Sequence, residues 1–226
     1  MTFNLPSTLR DINLSQWTQF IDIYEKNKDA ENTEFLEKKM LQIFCGTALN
    51  DISKLGLDTF DRAIQHLNIL LRQEPSLVSR FKLIGTDGVE VEFGLIPNFD
   101  KMSYGEFIDL EKYIYENDNI HRAMAVLYRP IKHSSNEKYL IHDYQGTEYL
   151  ADVMKFTPLD AFLSVKVFFY RLAKKLANYT MVYTLKELQE TQLNKKDELS
   201  VKNGEVINQY IHSLEKMSAE LERLQR

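Results

Sequence analysis

The sequence predicts a mainly α-helical protein with a small β-hairpin: two pseudo-repeated three-helix modules bridged by the hairpin, plus a long C-terminal helical arm. Three observations carry this prediction. Apolar residues recur every three or four positions along much of the chain, which gives a helix one buried face. Around Asp87-Gly88 the period drops to two, the alternation of a half-buried strand. The order of helical signals before that point then returns after it. The expected modules span 1–75 and 98–180, with the hairpin bridge at 76–97 and the arm at 181–226.

Asn13 is a good N-cap for a helix from about Leu14 to Glu25, whose Leu14, Trp17, Phe20, Ile21 and Tyr24 form one apolar face. A polar loop from Lys26 to Thr33 precedes a second helix, about Glu34 to Phe44, with Phe35, Leu36, Met40, Ile43 and Phe44 apolar and Gly46 suited to its end. A third, about Leu57 to Arg72, turns Phe60, Ala63, Ile64, Leu67, Leu70 and Leu71 inward, and Glu74-Pro75 closes it.

Phe81 and Leu83 then alternate with Arg80 and Lys82, and Val89, Val91, Phe93 and Leu95 with Glu90, Glu92 and Gly94. A two-residue Asp-Gly link in a type I′ turn is expected, since glycine accepts the positive φ required there. A lone hairpin is marginal in water, so its apolar face must lie on helices. Lys138 to Tyr144 is a candidate third strand. Helical spacing resumes from Ser103 to Tyr115 and again from Ile120 to Tyr128, where Pro130 stops it; Lys132 to Glu137 reads as a loop. A strongly apolar helix starts near Pro158, a favoured first-turn residue.

Four blocks support a diverged duplication. Leu5-Pro6 is echoed by Ile96-Pro97, and Ile12-Asn13-Leu14-Ser15-Gln16-Trp17 by Met102-Ser103-Tyr104-Gly105-Glu106-Phe107. Lys39 to Phe44 matches Ala123 to Tyr128 in apolar pattern, and Asp51-Ile52-Ser53-Lys54-Leu55 matches Asp152-Val153-Met154-Lys155-Phe156. Ile64, Leu67 and Leu71 fall where Val165, Phe168 and Leu172 fall. Such a body builds surfaces and grooves, and does not by itself imply chemistry.

In the arm, Tyr210, Leu214, Met217, Leu221 and Leu224 step by four, three, four and three, as in a coiled-coil seam. These five are the candidate protein-binding residues, with another copy, the body or a different protein as the surface they meet.

Composition narrows the function classes. A net charge of −5, from 28 basic and 33 acidic residues without a basic stripe, lacks the footprint of a nucleic-acid binder. The single cysteine, Cys45, has no disulfide partner and reads as a small core residue. With no signal peptide and no apolar run near the ~20 residues a bilayer requires, a soluble protein of a reducing cytoplasm is expected.

No catalytic, cofactor-binding or metal residues are expected. His66, His121, His133, His142 and His212 include no pair at i, i+4, and no Cys-x-x-Cys exists. His66 reads as a packed or boundary histidine. Gly85 and Gly88 lack the Lys-Ser/Thr of a phosphate loop. His142-Asp143 with Glu148, and Glu116 with Asp118, read as solvated groups, while Asp109 and Glu111 point to different helix faces.

The runs Phe93-Gly94-Leu95-Ile96-Pro97-Asn98-Phe99-Asp100-Lys101-Met102-Ser103-Tyr104-Gly105-Glu106-Phe107-Ile108-Asp109-Leu110 and Met124-Ala125-Val126-Leu127-Tyr128-Arg129-Pro130-Ile131 resemble proteins of tailed-phage morphogenesis regions, notably of gut phages. The resemblance covers about residues 1–180. The closest functional analogy is to tail assembly chaperones, and it implies a protein that binds tape measure or tail-tube protein in the host cytoplasm. The alternative is a structural virion component (connector, ring or internal protein) forming a symmetric oligomer. The resemblance brings no catalytic residues. Adaptable methionines suit client binding: Met40, Met124 and Met154 read as core, and Met217 as an interface residue.

Overall fold

The computed structural model describes residues 4–28, 33–85, 88–135 and 138–170. Residues Met1–Ser164 form one compact unit and Val165–Arg226 a second. Tyr210, Leu214, Met217, Leu221 and Leu224 lie outside the described residues.

A 3-10 turn at Leu9–Asp11 leads into α1, Leu14–Asn27. Asn13 caps α1 as its residue type predicts: its side chain accepts from Gln16 N–H at 2.9 Å, and Gln16 Oε1 accepts from Asn13 N–H at 3.0 Å. Leu14, Trp17 and Phe20 are buried. The first and last repeat every three positions through Trp17, so one stripe of α1 enters the core.

α2 covers Glu34–Phe44, and Gly46 follows with φ 63°, a left-handed backbone that costs glycine least. Its buried residues are Leu41, Ile43 and Phe44, whereas Phe35 is 46% exposed beneath the Lys39 ammonium. The inward face is therefore rotated away from Phe35. α3 is Leu49–Ile52, and α4 is Leu57–Leu71 with Ala63, Ile64, Leu67 and Leu70 buried.

The β structure is larger than one hairpin. Strands β1 (Arg80–Ile84), β2 (Glu90–Leu95), β3 (Tyr128–Ser135) and β4 (Lys138–Ile141) form an antiparallel sheet in the order β1-β2-β3-β4. The Asp87-Gly88 hairpin is in register, with Phe81 opposite Phe93. Its link differs from the expected two-residue turn. Gly85 N–H donates to Val89 O at 2.7 Å, Gly88 N–H donates to Gly85 O at 3.0 Å, and Gly88 has φ 80°. Three residues thus separate the last bonded pair, with glycine in the left-handed position of a bulged loop.

The predicted helix of 120–128 ends as α6 at Leu127, and residues 132–135 of the expected loop belong to β3. Pro130 had signalled only the end of a helix. In the fold it sits in a central strand opposite Phe93, a place where its missing N–H is normally excluded. A register shift between Ile131 and His133 lies beside it, and such bulges relieve a ladder that has lost a donor.

One sheet face is apolar: Phe81, Leu83, Phe93, Leu95 and Tyr128 are buried, and the Phe81 ring lies 5.9 Å from Phe93 and 4.8 Å from Tyr128. The Tyr128 hydroxyl donates to Val78 O at 2.5 Å, and burial pushes its phenol well above the usual range. On the opposite face the Tyr139 ring lies over Gly94, with the Arg80 guanidinium 4.5 Å from its centre and its hydroxyl donating to Leu95 O at 2.7 Å.

A Cβ at Gly94 would fall 2.8 Å from Cδ2 of that ring and 3.1 Å from Ile131 Cγ1. Gly94→Ala is therefore expected to cost about 1–3 kcal/mol in urea unfolding. In a Tyr139→Ala background the same change should cost little. An equal cost in both backgrounds would show that the ring is not the obstacle.

The remaining helices are α5 (Tyr104–Tyr113), α6 (Ile120–Leu127), α7 (Glu148–Met154) and α8 (residues 159–170). A second 3-10 turn, Phe99–Lys101, precedes α5 as Leu9–Asp11 precedes α1. Among the described residues, no helix is long and apolar enough to cross a membrane.

Candidate functional site

α5 is the element whose surface asks for an explanation. Ser103 is its N-cap: its hydroxyl accepts from Glu106 N–H at 3.3 Å, and Glu106 Oε2 accepts from Ser103 N–H at 2.6 Å. That reciprocal box fixes where the helix starts. Helical geometry then places Glu106 and Leu110 on one side, and both are buried. Tyr104, Phe107 and Ile108 occupy the i, i+3, i+4 positions of another side. They are 80%, 53% and 39% exposed. Three large apolar side chains in a row on one helix face form the pattern that docking helices read.

The underside of α5 is pinned by polar groups. Arg129 Nη2 meets Glu106 Oε1 at 2.6 Å, and the two side chains are 7% and 8% exposed. Glu106 thus uses one oxygen for the cap and the other for the arginine. The Arg129 Nε–H has no partner among the described residues, and the guanidinium lies 5.7 Å from the centre of the Tyr144 ring. The Tyr144 hydroxyl bonds Asp109 Oδ2. Burial, followed by the Asp109 carboxylate, pushes the Tyr144 phenol well above its ordinary range. Arg122 reaches the Tyr113 ring at 5.6 Å. These contacts tie α5 to β3, α6 and the segment before α7, so the outward face is held by a rigid base.

Sequence reasoning set Asp109 and Glu111 apart as residues of different faces. Glu111 is exposed and Asp109 is half-buried against Tyr144. It did not find the Glu106–Arg129 pair. The one available signal was Glu106 at the third helical position after Ser103, which announces a cap and says nothing of an arginine 23 positions later.

Three of the other candidate groups have partners of their own. His66 Nε2 lies 2.8 Å from Pro6 O, holding the N-terminal segment on α4. Asp143 pairs with Lys132 at 2.7 Å, and that ammonium holds its carboxyl below the usual range. Asn119 donates to Glu116 at 2.8 Å. Among the described residues, no three His, Cys, Asp or Glu side chains gather as a metal site. A concavity of about 440 Å³ is lined by Pro97, His133, Ser135, Lys138, Tyr139 and Leu140. Its size would admit a small molecule. Among the described residues, its lining has no carboxylate to pair with His133 for acid/base work.

Cys45 is buried at the end of α2, and burial pushes its thiol up to about 11. The thiolate is the reacting species, so alkylation of the native protein near pH ~8 should be slow and should accelerate on unfolding. Rapid labelling of the folded chain would show that Cys45 is open to solvent.

No family model matches this chain, and neither does any curated protein or solved structure.

Proposed function

We propose that the protein is an assembly factor of a tailed phage without chemistry of its own, which binds tape measure or tail-tube protein during virion assembly as tail assembly chaperones do. The observation that carries this reading is the outward face of α5, Tyr104, Phe107 and Ile108, on a helix whose other side is locked by a buried ion pair. Aromatic residues on a rigid base are the groups that carry most binding energy at protein interfaces. A helical client would lay its own apolar stripe along them. The resemblance of residues 93–110 and 124–131 to phage morphogenesis proteins supplies the setting.

A second reading, a virion component assembled as a symmetric oligomer, is favoured by a separate observation. Two helices with matching caps, α1 and α5, begin in contrasting surroundings: Leu14 and Trp17 are buried, while Tyr104 and Phe107 are exposed. We read the two halves as a diverged duplication, in which one half's docking position is filled and the other's is open.

Placing a photo-crosslinking amino acid at Tyr104 in infected cells tests the proposal. Adducts with the tape measure or tail-tube protein are expected, with the protein missing from purified particles. Stoichiometric protein in finished virions would reject the chaperone reading and favour the structural one.

A further inference from the structure

Within the chain, the first turn of α1 is closed by the turn that precedes α8. Leu14 N–H donates to Thr157 O, Ser15 N–H to Lys155 O and Leu159 N–H to Ile12 O, each at 2.8 Å, and Asn13 bridges Pro158. The Leu14 and Ser15 amides open α1, where no carbonyl of the helix itself can serve them. Side chains are buried along with these bonds: Ile12, Leu14 and Trp17 from one side, Thr157, Pro158 and Leu159 from the other.

The counterparts of both sides share the cap of α1 and the Asp-Lys turn before α8, although Leu57 already belongs to α4 while Pro158 precedes its helix. Ser103 and Glu106 repeat the reciprocal cap of Asn13 and Gln16. Asp51 and Lys54 repeat the turn of Asp152 and Lys155. In each, the lysine N–H donates to the aspartate carbonyl (3.1 and 3.3 Å) and the ammonium pairs with the aspartate carboxylate (3.2 and 2.7 Å). On this correspondence Tyr104 and Phe107 stand where Leu14 and Trp17 stand, and Leu57 stands where Pro158 stands. Yet Leu57 is 77% exposed and Tyr104 is 80% exposed. The chain carries both halves of this seam and does not join them.

We propose that a second copy of the chain closes it: the start of α5 in one copy seats on the 54–58 turn of the next, as the start of α1 seats on residues 155–159 within a copy. This rests on reading α5 as an interaction face, and it names what occupies that face when no client is bound. Because two different patches meet, the contact is heterologous, and copies add head to tail into a ring or an open filament. The Gly56 carbonyl already accepts the Thr59 and Phe60 N–H groups at 3.0 Å each. The contact between copies therefore relies more on side chains than the internal seam does, with Leu57 set against Tyr104 and Phe107.

Light scattering after size exclusion, on the full chain from about 1 to 100 µM, tests this. The wild-type mass should rise with concentration above the 26.6 kDa of one chain. A Tyr104→Asp/Phe107→Asp variant should stay monomeric, and so should Leu57→Asp. Mixed in equal amounts, the two variants should give a dimer and nothing larger, since each keeps the half the other lacks. Circular dichroism checks that each is folded. Should either unfold, mixing Tyr104→Cys with Leu57→Cys under oxidising conditions is the substitute, with the mixed disulfide expected in excess over either homodimer. A wild type that remains monomeric, an association untouched by either variant, or a mixture that stays monomeric while the wild type associates would each overturn the proposal. Monomeric pure protein whose Tyr104 probe still labels a different protein in cells would remove the second copy and leave the interaction face standing. Loss of both signals would remove the face as well.

Discussion

Arg129→Met is expected to destabilise the protein by about 3–5 kcal/mol, because it leaves the Glu106 carboxylate buried with its cation gone. Glu106 is 6% exposed and Arg129 6% exposed, so neither charge recovers its hydration when the other is removed. The double variant Arg129→Met/Glu106→Gln should recover most of the loss. Gln16 shows why: at the matching position of α1 a neutral side chain completes the same cap and directs its amide to Ile43 O at 2.8 Å. A glutamine at 106 keeps the bond to Ser103 N–H and leaves no charge behind. The orphaned Arg129 Nε–H also disappears, and an unmet buried donor is itself costly. Urea unfolding of the single and double variants as a mutant cycle measures this. A loss below about 1 kcal/mol for Arg129→Met, the range of exposed pairs, would mean the pair is solvated and α5 is not locked through it.

The parts of the fold that were legible in the sequence are those set by short-range stereochemistry. Asn13 and Ser103 announce helix starts because their side chains reach an amide three residues on, and both do so here. Gly46 marks the end of α2 because its backbone has φ 63°. The alternation around Gly88 locates β1 and β2, although the three-residue link depends on which pair of amides closes the loop, and alternation does not encode that. β3 was obscured because Pro130 is read as a helix stop, a local effect, whereas its place opposite Phe93 is fixed by a partner strand 37 positions earlier. The candidate site was hidden for a related reason. Residues 104–114 have helical spacing on more than one side, with Leu110 on one and Tyr104, Phe107 and Ile108 on another. Periodicity identifies a helix there, and only the position of Arg129 beneath Glu106 decides which side faces outward.

Trp17→Ala and Phe107→Ala, changes at matching positions of the two capped helices, should differ by several kcal/mol in the isolated chain. Trp17 is 6% exposed, on the helix whose first turn meets residues 155–159. Removing its indole opens a cavity that the closed seam cannot fill, and a loss of about 3–5 kcal/mol is expected. Phe107 is 53% exposed, so about half of its surface stays solvated in the folded chain. Truncating it should change unfolding by no more than about 0.5 kcal/mol. The measurement is the urea midpoint of each variant at low protein concentration, where association does not contribute. A large loss for Phe107→Ala under those conditions would place the ring in the core and take away the docking face. A small loss for Trp17→Ala would mean that the α1 seam is not part of the cooperative unit. If both expectations hold, the two rings differ in what covers them in the isolated chain: for Trp17 the chain itself, for Phe107 largely solvent, which leaves it open to the second copy proposed above.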